Sequence, residues 1–195
     1  MKRAGMFAVL VGGLMAPCAP GQVVVQDDFE SGAFSPGWNV TTGIATGTGA
    51  AGTARYAGVP SYTNVSGRQL GARFDAVAAS GATAFEIDTY LRVSNTTERQ
   101  FNLMVSTSPD PLSSSGASIN LQHRTNTWQV FNGAWQPLPA LPPVAAGVWY
   151  RLRVTGTNWG VPAASYSIEL SAAGGTNFTS AVTGLTAYQT ASPTN

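Results

Sequence analysis

The stretch Thr83-Ala84-Phe85-Glu86-Ile87-Asp88-Thr89-Tyr90-Leu91-Arg92-Val93 decides the fold. Successive side chains of an extended chain point to opposite sides, so Phe85, Ile87, Leu91 and Val93 share one face and Glu86, Asp88, Tyr90 and Arg92 the other. One face is fit for a core and the other for water. The same two-residue beat returns at Phe101, Leu103 and Val105, at Ile119 and Leu121, at Val148, Tyr150, Leu152 and Val154, and at Tyr166, Ile168 and Leu170. A 3.6-residue period is almost absent. The pattern predicts an all-β, antiparallel protein with minimal helix apart from its N-terminal leader.

Turn chemistry separates these segments at Asn95-Thr96-Thr97, at Ser108-Pro109-Asp110-Pro111 with Ser113 to Gly116, at Asn132-Gly133, and at Ala173-Gly174-Gly175. Asn132-Gly133 is the strongest hairpin signal, because Asn and Gly accept the positive φ that tight hairpins need. Trp128, Val130 and Phe131 precede it and Trp135 follows. Pro137 to Pro143 reads as an extended surface connection, and Gly43 to Gly52 as a flexible loop of Thr, Gly and Ala.

At the N-terminus, Lys2 and Arg3 precede an apolar run from Met6 to Met15, and Ala19 and Gly21 stand just before Gln22. That order predicts a signal peptide over residues 1–21 and a single β-sandwich domain over 22–195, exported to the extracellular space or cell surface. Gly12, Gly13, Pro17 and Pro20 argue against a buried helix there, and Pro17 argues against lipidation at Cys18. Cleavage removes the only Cys, so no disulfide is expected. Of 10 Lys and Arg residues, removing Lys2 and Arg3 leaves eight against 9 acids, a formal charge of −1. Such a balance holds no polyanion by bulk electrostatics, so nucleic acid is not an expected partner. After the leader no apolar run is long enough to span a membrane. Only 10% of the residues are charged, against about a quarter in ordinary soluble domains. Thr, Ser, Asn and Gln take over the surface, a coat that fits an exported protein meeting sugars and equally an inert structural one.

Two motifs carry a family resemblance. Asp27-Asp28-Phe29-Glu30-Ser31-Gly32 with Gly37-Trp38, and Gly147-Val148-Trp149-Tyr150-Arg151-Leu152-Arg153-Val154, resemble secreted bacterial modules of the concanavalin A-like lectin/glucanase (laminin-G-like) jelly-roll fold. The resemblance implies a two-sheet antiparallel β-sandwich whose concave sheet often bears a sugar groove. Related modules close with a strand beside the opening one, whereas this chain ends at Ser192-Pro193-Thr194-Asn195. A final strand is therefore expected to be lacking, or the opening strand to lie on an open edge.

Glu86-Ile87-Asp88 resembles the first two acidic positions of the Glu-x-Asp-x-(x)-Glu strand motif of glucanases with this fold. Retaining hydrolysis needs two carboxyl groups about 5–5.5 Å apart, one of them carrying a proton. Tyr90 and Leu91 occupy the place of the acid. Glu169 on another strand is a conceivable substitute, but Arg92, Arg151 and Arg153 sit on similarly wet faces, and cross-strand pairing of Arg with carboxylate is the plainer expectation. No catalytic residue is assigned. One His and no mature Cys cannot build a zinc cluster or a Cys/His pair, and neither a Gly-x-Ser-x-Gly elbow nor a phosphate-binding glycine loop occurs. His123, in phase with Ile119 and Leu121, reads as a half-packed ring at a strand end. Asp27, Asp28 and Glu30 offer hard oxygen atoms for a structural calcium but follow no loop motif, and no metal or cofactor is claimed.

The expected binding surface is a polar sheet face made by Glu86, Asp88, Tyr90 and Arg92 with Asn102, Asn120, Gln122, Arg124, Trp149, Arg151 and Arg153. Sugars stack their C–H faces on Trp or Tyr while amides and guanidinium groups take the hydroxyls. Tyr90, Arg92, Asn120, Gln122, Arg124, Trp149 and Arg151 are the expected ligand contacts. The chain reads as a non-enzymatic carbohydrate-binding or cell-surface interaction module, taking a poly- or oligosaccharide. The alternatives are a glycan-cleaving enzyme using Glu86 and Asp88, and a structural component of an extracellular matrix or envelope without a small ligand.

Overall fold

The computed structural model describes residues 30–33, 50, 84–93, 99–106, 117–158, 164–172 and 177–188, together with short strands before residue 80. Those short strands are β1 (Met6–Phe7), β2 (Gly13–Met15), β3 (Gln26–Asp27), β4 (Trp38–Val40), β5 (Gly43–Thr46), β6 (Arg55–Gly58), β7 (Leu70–Ala72) and β8 (Ala78–Ala79). They form two-stranded ladders, antiparallel for β1 with β3, β4 with β7 and β5 with β6, and parallel for β2 with β8. Gly43–Thr46 therefore differs from the flexible loop expected there. Ile44 and Thr46 are β-branched and alternate along the chain, which suits the pleat that pairs with Arg55–Gly58.

Beyond residue 83 lie β9 (Ala84–Arg92), β10 (Arg99–Ser106), β11 (Ala117–Arg124), β12 (Thr127–Phe131), β13 (Trp135–Pro137), β14 (Trp149–Thr157), β15 (Ser165–Ala172) and β16 (Ser180–Thr186). They make two four-stranded antiparallel sheets, ordered β10-β11-β12-β13 and β16-β15-β14-β9. Each of the five strands read from the two-residue beat is present. Their apolar faces meet in one buried cluster that joins Phe85, Ile87 and Leu91 of β9, Leu152 and Val154 of β14, and Ile168 and Leu170 of β15 to Ile119 and Leu121 of β11 and Trp128 and Val130 of β12. The described residues are thus nearly all β and sandwich-like in arrangement. Among the described residues no helix is long and apolar enough to cross a membrane.

The Pro-rich connection between β13 and β14 does more than cross the surface. Pro139, Pro142 and Pro143 are exposed, but Leu138, Leu141 and Val144 are buried in the shared core. Backbone and side-chain bonds tie it to both sheets. Trp128 Nε1 donates to the Pro142 carbonyl at 3.0 Å, the Ala145 N–H donates to the Tyr150 hydroxyl at 2.9 Å, and the Gly147 N–H donates to the Val93 carbonyl at 2.8 Å.

Two turns set the ladders of β11 to β13. Thr125 and Asn126, at φ of 50° and 58°, join β11 to β12 as a two-residue hairpin. Asn132-Gly133-Ala134 joins β12 to β13, with Gly133 at φ 76° and Phe131 paired to Trp135. In the other sheet, Gly184 at φ 71° accompanies the register shift between β15 and β16, where Ser167 on one strand faces Thr183 and Gly184 on the other. On β14, Gly156 lies opposite Phe85, and a Cβ built there would sit 2.0 Å from the Phe85 ring. The ring fills the space that the glycine leaves.

Candidate functional site

The outward face of the β9–β14–β15 ladder is set by register. Trp149 pairs with Arg92, Arg151 with Tyr90 and Arg153 with Asp88, and Arg151 and Arg153 also face Ser171 and Glu169 across the other flank of β14. Side chains directly opposite on one face lie close enough to interact. Tyr90, Arg92, Trp149 and Arg151 consequently form two adjacent cross-strand pairs, Tyr90, Trp149 and Arg151 half-buried and Arg92 exposed.

Below this quartet the charges are fully engaged with one another. Asp88, its side chain only 8% exposed, accepts Arg151 Nε at 2.8 Å and Nη2 at 2.6 Å in a bidentate pair. Arg153 Nη2 donates to the same carboxylate at 3.0 Å, while its Nε lies 3.6 Å from Glu86 and its Nη1 3.8 Å from Glu169. Planar guanidinium groups suit such shared, two-pronged contacts. The hydrogen bonds that the Asp88 carboxylate accepts hold the Arg151 guanidinium above its ordinary pKa. Phe178 caps both arginines, its ring centroid 5.0 Å from the guanidinium carbon of Arg151 and 4.5 Å from that of Arg153. Glu86 and Asp88, the pair that resembles a hydrolase motif, belong to this lattice. Phe178 carried no signal in the sequence, since it stands outside any alternating run and reaches the arginines only through the β15–β16 pairing.

The remaining expected contacts stand on the other sheet. Asn120 and Gln122 lie on β11, 4% and 0% exposed, so they are not part of the open face that holds Trp149. Both faces of β11 are buried from Ile119 to His123, and strict alternation cannot distinguish such a strand from one with a wet side. Gln122 Nε2 donates to Gln129 Oε1 at 2.9 Å, whereas Gln122 Oε1 and Asn120 Oδ1 have no hydrogen-bond partner among the described residues. Arg124 is exposed at the Thr125-Asn126 turn, and Asn102 is exposed on β10. The single face expected from the sequence is therefore divided between two sheets.

His123 is fully buried instead of half-packed. Its ring meets Trp128 edge-on at 5.2 Å, and Trp128 in turn meets Phe101 at 5.9 Å. Among the described residues neither ring nitrogen has a hydrogen-bond partner, and burial lowers its pKa. Glu30 is exposed, and the side chains of Asp27 and Asp28 lie outside the described residues. No protein-family model, curated protein or solved structure matches the chain.

Proposed function

We propose that the chain is an exported sandwich of jelly-roll type that binds carbohydrate at a cell surface or in an extracellular polymer without cleaving it. The observation that supports this most directly is the quartet Tyr90, Arg92, Trp149 and Arg151, two aromatic rings and two guanidinium groups side by side on one sheet face. Rings offer stacking surfaces for sugar C–H faces, and the exposed Arg92 guanidinium supplies donors for hydroxyls or carboxylates, while Arg151 is held against Asp88 and Phe178. The hydrolase alternative is weaker, because four guanidinium hydrogen bonds already occupy Asp88.

A glycan array probed with chain 22–195, followed by calorimetric titration of the strongest hit, tests the proposal. Trp149→Ala is expected to weaken binding by about 1–3 kcal/mol, the cost of losing one stacking partner. A blank array from a folded sample would favour the scaffold reading instead. Glycan turnover that disappears in Glu86→Gln would replace binding with hydrolysis.

A further inference from the structure

Within the strands of the β10–β13 sheet, charge is confined to Arg99 and Arg124, paired at one end of the β10–β11 ladder. Glu86, Asp88, Arg92, Arg151, Arg153 and Glu169 all stand on the β9–β14–β15 side, whereas from Thr125 to Tyr150, and again from Leu170 to Asn195, the sequence contains no Asp, Glu, Lys or Arg. These two uncharged stretches meet where Tyr150 pairs with Ala172, and again at a cluster of aromatic rings. Phe131 and Trp135, opposite each other in the β12–β13 ladder, pack edge to face at 5.4 Å, and Tyr188, just beyond β16, packs edge to face on Phe131 at 5.0 Å. The Tyr188 ring also lies against the turn, 3.6 Å from where a Cβ on Gly133 would be, an ordinary van der Waals distance.

The three rings are not a piece of core. The chain's buried cluster takes Trp128 and Val130 from the opposite face of β12, while Phe131 and Trp135 remain half-buried and Tyr188 is 36% exposed, the one exposed large apolar side chain among the described residues. Beside them on the same face is Gln129, whose amide oxygen is engaged by Gln122 and whose NH₂ is thereby left as the donor. Partly exposed aromatic rings with a fixed amide donor, and no charge within their own segments, complement a ligand that is apolar on one face, hydroxylated at its rim and uncharged.

We infer that Phe131, Trp135 and Tyr188, with Gln129, form a second saccharide-stacking platform that takes an uncharged oligosaccharide chain. The inference rests on the carbohydrate-binding reading but assigns a different face and a narrower ligand class. The charged quartet around Trp149 suits acidic or mixed glycans, and the aromatic platform suits neutral ones.

The test uses an array of uncharged and acidic oligosaccharides, then titration of the tightest uncharged binder against four variants of chain 22–195. Trp135→Ala and Tyr188→Ala are each expected to weaken uncharged-glycan binding about five-fold or more, and Trp135→Phe, which keeps a ring, about two-fold or less. Trp149→Ala, titrated also with the tightest acidic binder, is expected to weaken that acidic-glycan binding. Thermal melts of each variant verify the fold, and Tyr188→Ala keeps the test valid if Trp135→Ala loosens the hairpin. Wild-type affinity in both alanine variants overturns the platform, and if Trp149→Ala alone abolishes binding the quartet stands without it. A folded protein that binds only acidic glycans likewise overturns the platform and leaves the quartet standing. A wild-type dimer that Trp135→Ala converts to monomer overturns it too, by making a second copy the occupant.

Discussion

At the scale of single residues, Asp88 organises the charged face. Removing one partner of a buried ion pair leaves the other uncompensated, at a cost of about 3–5 kcal/mol when both are fully enclosed. Arg151 and Arg153 keep part of their hydration, with side chains 21% and 27% exposed. The expected loss for Asp88→Asn is accordingly smaller, about 2–3 kcal/mol in a urea denaturation series. A change under about 0.5 kcal/mol would place Asp88 among ordinary surface pairs. His123 makes the opposite kind of statement. Its imidazole is buried beside Trp128, and that desolvation puts its folded pKa below the unfolded value of 6.5. The unfolded chain then binds more protons just below pH 6.5, and stability is lost as the pH falls from there towards the folded pKa. His123→Phe should remove that component, so the wild-type melting temperature should drop more steeply than the variant's between pH 7 and 5. Parallel profiles would contradict it.

At the scale of elements, the Thr125-Asn126 hairpin is a place where the sequence is not at its optimum. Both residues have positive φ, a conformation that Asn tolerates and β-branched Thr does not favour. The double change Thr125→Asn with Asn126→Gly is expected to stabilise the protein by about 0.5–1 kcal/mol, read as a shift in denaturation midpoint at constant slope. That strained Thr also explains why the turn was invisible in the sequence, while Asn132-Gly133 announced the next one. Strands β9, β14 and β15 were legible because each shows one apolar and one polar face. Strand β16 is not, since the bulge at Gly184 breaks its alternation, and the sequence of β11 reads as half-wet because Asn120 and Gln122 are polar, although the fold buries both. Four of the seven expected contacts, Tyr90, Arg92, Trp149 and Arg151, share a face because period and register agree on β9 and β14. Asn120, Gln122 and Arg124 went to the other sheet, since pairing partners are a matter of tertiary structure that alternation within one strand does not encode. The buried Leu138, Leu141 and Val144 were likewise hidden among prolines that signal only an extended path.

At the scale of the whole molecule, export and binding are separable. Expression in a secreting bacterial host is expected to yield a product whose N-terminus, by mass spectrometry, is Gln22. A cytoplasmic product retaining Met1 would overturn the export proposal and leave the sandwich-like core intact. That core also joins distant parts of the chain, and the contact between Phe85 and Gly156 shows what this means for descent. A methyl group added at position 156 first would collide with an aromatic ring held between two sheets. Shrinking Phe85 first opens a gap that the later methyl can occupy. Any lineage that trades this pair away must therefore take the two steps in one order, and the intermediate it passes through is the one with a hole instead of the one with a clash.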